Sequence, residues 1–334
     1  MIRWHAHHFG ALRHTPTGKD DGAMIPAALL RGLAAGAIML ASCAAALALE
    51  TGPARFTLSG VEGYGATTAP MAVFTYRPAG WKPDGRVLLV MHGRGRDADR
   101  YRDEWAALAE ASHVLVVVPH FSNEKFPGRA SYNFGGVIAR DGRAAPRERW
   151  SFGVMDKVFA EVRRLTGATR PRYALFGHSA GAQFVHRYLL MAEASDADLI
   201  ITANAGSYTM PDPATAFPFG TGGTALDDAA LKRAFARPVV VLLGDQDTDP
   251  NHPSLPRDAA AMAQGPHRLA RGQRFFAMAG EAAAAMGAPF AWQLATVKGV
   301  GHDNGGMAAD AMAHVTGTHV TGTHVTGTHV TGAR

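Results

Sequence analysis

Tyr173-Ala174-Leu175-Phe176-Gly177-His178-Ser179-Ala180-Gly181-Ala182-Gln183-Phe184 is the stretch on which the fold turns. Its first four residues are apolar and read as a buried strand; residues 182–190 read as a helix. Between them, Gly177-His178-Ser179-Ala180-Gly181 fits G-x-S-x-G. A strand, a sharp turn and a helix form the setting in which that pattern makes a nucleophile elbow. The turn forces its serine into a strained backbone conformation. Small neighbours let strand and helix approach, and Gly177 and Gly181 supply them. Ser179 then stands with its hydroxyl exposed. His178 leaves the turn in another direction, which suits packing near the pocket better than acting as the base.

Outward from the elbow, short apolar runs recur at residues 71–77, 86–91, 114–118, 199–203, 239–243 and 292–297. Helical patterns at 97–111, 151–165 and 272–286 alternate with them. Continuous apolar strands imply burial on both faces. The expectation is an α/β fold, with a mostly parallel central sheet and helices on both faces, over residues 49–313. Segments 121–150 and 207–230 interrupt it, rich in Gly and Pro. Both follow strand ends, where such folds bind ligands, so both are expected as pocket walls.

The two ends differ from this middle. Residues 1–48 read as a leader: Arg31 precedes eighteen uncharged residues rich in Ala and Leu. Two processing sites compete there. Ala46-Leu47-Ala48 suits a signal peptidase, and Leu40-Ala41-Ser42-Cys43 suits lipidation at Cys43, the chain's single cysteine. An uncleaved anchor is the third reading. A secreted or periplasmic protein follows, tied to a membrane only through Cys43. At 314–334 the unit His314-Val315-Thr316-Gly317-Thr318 repeats four times with a changed last ending. Steps of five rotate by about 140° on a helix, so the imidazoles share no face. A disordered tail, not a metal site, is expected. The formal charge of +5 comes without any block of Lys/Arg interleaved with aromatics, so nucleic acid is not an expected partner.

A serine hydroxyl needs a base, and the base an orienting acid. Behind an elbow they follow in chain order. The run at 239–243 leads into Gly244-Asp245-Gln246-Asp247-Thr248-Asp249. Asp247 is the first choice for the acid, Asp249 the second and Asp245 the third. The last strand leads into Gly299-Val300-Gly301-His302, which makes His302 the base. For the oxyanion, one main-chain N–H comes from Ala180, at the helix start. The other comes from the His92-Gly93-Arg94-Gly95-Arg96 loop, with Arg94 preferred to Gly93.

With these sites placed, the chain resembles the α/β-hydrolase superfamily over residues 70–313. Met91-His92-Gly93, the elbow, Ala203-Asn204-Ala205-Gly206-Ser207-Tyr208 and the Asp247 and His302 loops carry the likeness. Within it, the chain is similar to secreted esterases of the poly(3-hydroxybutyrate)-depolymerase and feruloyl-esterase-like group. The resemblance implies a carboxylic ester hydrolase acting on a small or oligomeric ester, without metal or organic cofactor. The chain lacks both cysteines after Cys43 and a separate binding domain, which argues against attack on solid polymer. A peptidase or amidase on the same triad, or a non-catalytic lipid-anchored binding protein, are the rival readings.

Overall fold

The computed structural model describes residues 49–139 and 142–318. The expected leader, Cys43 and the repeats after Thr318 lie outside them. The strands are β1 (Gly52–Leu58), β2 (Met71–Arg77), β3 (Val87–Met91), β4 (Leu115–Pro119), β5 (Tyr173–His178), β6 (Ala197–Ala203), β7 (Val239–Gly244) and β8 (Trp292–Val297). They form one sheet in the order β1-β2-β4-β3-β5-β6-β7-β8. β2 pairs antiparallel with both β1 and β4, and every later pairing is parallel. The longer helices are α1 (Ala98–Ser112), α2 (Val154–Thr166), α3 (Ala180–Met191), α4 (Asp228–Phe235), α5 (Arg268–Ala285) and α6 (Asn304–Thr316).

Period-two alternation divides the core between the two faces of the sheet. Leu88 and Val90 of β3 join Trp105 of α1 and Met307 of α6. Their neighbours Val87, Leu89 and Met91 join Val158 of α2, Phe184 of α3, Leu231 of α4 and Phe275 of α5. All five residues of β3 are fully buried, as the unbroken apolar run requires. Among the described residues no helix is long and apolar enough to cross a membrane.

Two segments differ from expectation. β1 precedes the first expected strand. It is an edge strand whose exposure alternates along Pro53, Ala54, Arg55 and Phe56, so no apolar run marks it. At the other end, α6 takes in the first three residues of the repeat. Val315 is buried, its carbonyl accepts from Arg86 Nε at 3.1 Å, and Gly317 closes the helix in the left-handed conformation. Docking on α1 overrides the poor helix propensity of Val and Thr.

Candidate active site

Ser179 joins β5 to α3 with φ 58° and ψ −112°. This is a strained conformation for a residue with a side chain. The approach around it leaves no room for methyl groups. A Cβ on Gly177 would lie 2.4 Å from the Gly181 carbonyl oxygen, and one on Gly181 would lie 2.0 Å from that of Met91. The Ser179 N–H donates to Ala203 O at 3.0 Å, fixing the turn to β6.

Loops at the carboxyl ends of β7 and β8 bring two further candidates to this serine. His302 Nε2 lies 2.9 Å from Ser179 Oγ, and His302 Nδ1 lies 2.8 Å from Asp247 Oδ2. A charged carboxylate at Asp247 accepts the Nδ1 proton, which leaves the Nε2 lone pair facing the hydroxyl. Burial pushes the His302 pKa below its usual value; the nearby Arg268 charge adds to this and Asp247 opposes it. The imidazole is therefore neutral near pH 7. The other two acid candidates have different work. Asp245 accepts the Gly299 N–H at 2.7 Å and Asp249 accepts the Asn251 N–H at 2.8 Å.

Three supports of this relay were not among the expected site residues, although Asn204 lies in a stretch that carries the family likeness. Asn204, at φ 52°, accepts from Gly244 N–H at 2.9 Å and donates to Gly301 O at 3.1 Å. It ties the acid loop to the base loop. Arg268, at the start of α5 and 1% exposed, approaches the second Asp247 oxygen at 3.3 Å and donates to Ser254 Oγ at 2.8 Å. Tyr101 Oη meets His178 Nδ1 at 3.1 Å, and the buried His178 ring lies 4.7 Å from that of His302. Thus His178 packs behind the base.

Arg94, Ser179 and Ala180 line one cavity of about 380 Å³. Segment 121–150 contributes Asn123, Gly128, Arg129 and Asn133 to its wall. Segment 207–230, expected as the other wall, does not line it. The opposite wall is Pro253-Ser254-Leu255-Pro256, from the loop after β7. Arg187 of α3 explains the difference. It draws 207–230 down behind the site, donating to Pro218 O at 2.9 Å with its guanidinium over the Phe217 ring.

No protein-family model matches the chain, and no curated protein matches it by sequence. Solved structures do. Poly(aspartic acid) hydrolase-1 from Sphingomonas sp. KT-1 is 40% identical, with a TM-score of 0.76, covering 80% of this chain and 99% of its own. A poly(3-hydroxybutyrate) depolymerase from Bordetella parapertussis is 36% identical, with a TM-score of 0.74, over 79% of this chain and 89% of its own. An S-formylglutathione hydrolase from Staphylococcus aureus shares the fold at 13% identity and a TM-score of 0.51, over 80% of this chain and 98% of its own.

Proposed function

Because this chain belongs to the α/β-hydrolase superfamily, in the group of the two polymer hydrolases above, we propose that it is a serine hydrolase cleaving carboxylic esters through an acyl-enzyme. Ser179 Oγ attacks the ester carbonyl carbon while His302 Nε2 takes the hydroxyl proton. Asp247 holds the imidazole in the required tautomer and stabilises its charged form. The main-chain N–H groups of Ala180 and Arg94 receive the oxyanion, each donor being worth about 3 kcal/mol of transition-state stabilisation. Collapse breaks the ester C–O bond, and His302 passes its proton to the leaving alcohol. Water, deprotonated by the same nitrogen, then releases the acid.

The observation that carries this reading is the unbroken relay of 2.9 and 2.8 Å ending on a serine in a strained turn. One fact favours cleavage of amides as a second reading: the 40% identical relative is named for hydrolysing poly(aspartic acid). Export, with lipidation at Cys43 or cleavage after Ala48, is proposed on the leader sequence alone. The test is fluorophosphonate labelling of the purified protein beside Ser179→Ala, followed by paired ester and amide substrates. Labelling confined to the parent supports an activated serine. A folded parent that does not label would overturn the enzymatic reading and favour a binding protein. Faster turnover of amides would replace the esterase reading with the second one.

A further inference from the structure

Four guanidinium groups are buried around the cavity: those of Arg96, Arg187, Arg268 and Arg271. Among the described residues only Arg268 of these forms an ion pair, with Asp247, while Arg271 feels the Asp258 carboxylate at longer range. The other three rest on backbone carbonyls. Arg96 donates to those of Phe121, Phe126 and Gly128. Arg187 donates to Gln183 O at 2.9 Å, Asn133 O at 3.4 Å and Pro218 O at 2.9 Å. Arg271 donates to Gly206 O at 2.5 Å, Gly265 O at 2.9 Å and Pro256 O at 3.1 Å.

A carbonyl satisfies an N–H but does not neutralise a charge, and burial limits its screening by solvent. Burial pulls the Arg187 pKa down to about 9 and that of Arg271 to about 10. Both groups remain cationic at neutral pH. Their acceptors Asn133, Gln183 and Pro256 are themselves cavity wall, so these charges lie directly behind it. In front, Arg94, Arg96 and Arg129 line the opening, and no Asp or Glu does so among the described residues. Arg129 alone has an acidic partner there, the half-exposed Asp258, at 3.0 and 3.2 Å.

We infer that the cavity selects an ester bearing a carboxylate a few atoms from the scissile carbonyl. The bound anion occupies the field of the buried arginines and meets Arg129 at the rim. This inference rests on the esterase reading.

The test uses two pairs of esters matched in shape, in which a carboxylate replaces an isopropyl group. Monoethyl succinate against ethyl isocaproate places the charge on the acyl side. Acetoxyacetate against isobutyl acetate places it on the alcohol side. In at least one pair the anion is expected to show a kcat/KM about tenfold higher, and this preference shrinks as salt rises from about 0.05 to about 0.5 M. Asp258→Asn releases Arg129 and should enlarge the ratio about threefold, and Arg129→Gln should reduce it by a similar factor. Equal or higher kcat/KM for the neutral ester in both pairs overturns the inference and leaves the esterase reading standing. Turnover of none of the four esters by the folded protein removes both.

Discussion

Acid should unfold this protein over a narrow range, through three histidines at zero or near-zero exposure: His92, His178 and His186. Two are locked neutral by their hydrogen bonds. His92 Nδ1 lies 3.0 Å from Gly93 O while its Nε2 accepts the Phe121 N–H at 3.1 Å. His186 Nδ1 lies 2.8 Å from Ala182 O while its Nε2 accepts the Thr209 N–H at 3.0 Å. Adding a proton would set an N–H against an N–H. His178 is enclosed beside His302, and its Nε2 has no hydrogen-bond partner. Burial pushes all three pKa values down, to about 3 for His92 and well below the usual value for the other two. The unfolded chain titrates near 6.5 and therefore binds the extra protons, so stability falls as pH drops through that value. The fall continues until the folded-state pKa is reached. At about pH 5 each histidine shifts the equilibrium by about 2 kcal/mol, or about 6 kcal/mol for the three, against a typical total of about 5–15 kcal/mol. Urea denaturation at about pH 7.5, 6 and 5 measures this directly. His186→Leu lowers stability at neutral pH but should flatten the pH slope by about one third, since one of three proton sites is gone. A parent losing less than about 2 kcal/mol between neutral pH and pH 5 would refute the reasoning.

Two more outcomes follow from the site. Gly181→Ala puts a methyl 2.0 Å from the Met91 carbonyl oxygen, and a loss above about 3 kcal/mol is expected; an unchanged Tm with full activity would disprove the close approach. Arg268→Met leaves the buried Asp247 charge unpaired, with an expected loss of about 3–5 kcal/mol. The cation that disfavours the His302 imidazolium is also removed while Asp247, His178 and His252 still face it. The acid limb of kcat/KM should therefore move to higher pH, and lower activity with an unmoved limb would reduce Arg268 to a purely structural part.

The central strands and the elbow were readable in the chain because their chemistry is local. β3 and β4 are buried on both faces and so must be apolar at every position. Ser179 needs glycines beside it within two residues. Asp247 and His302 were placed by their positions in the loops that follow β7 and β8. What escaped depends on distant parts meeting. Asn204 joins loops 40 and 97 residues away, and Arg268 meets an acid 21 residues earlier. A lone Asn or Arg in a sequence carries no mark of such a partner. Loop length also misled. Segment 207–230 is far longer than the run 253–256, but Arg187 holds part of it by a backbone carbonyl, and the short run forms the wall instead.

Both described ends of the chain sit at the pole of the sheet opposite the cavity. Leu49 is hydrogen-bonded to Leu165, at the end of α2, and Val315 to Arg86, at the start of β3. A group attached at Thr318, the last described residue, therefore stands away from Ser179. The same layout suits immobilisation. Beads or fibres coupled through the carboxyl-terminal end would present the open cavity outward, away from the support.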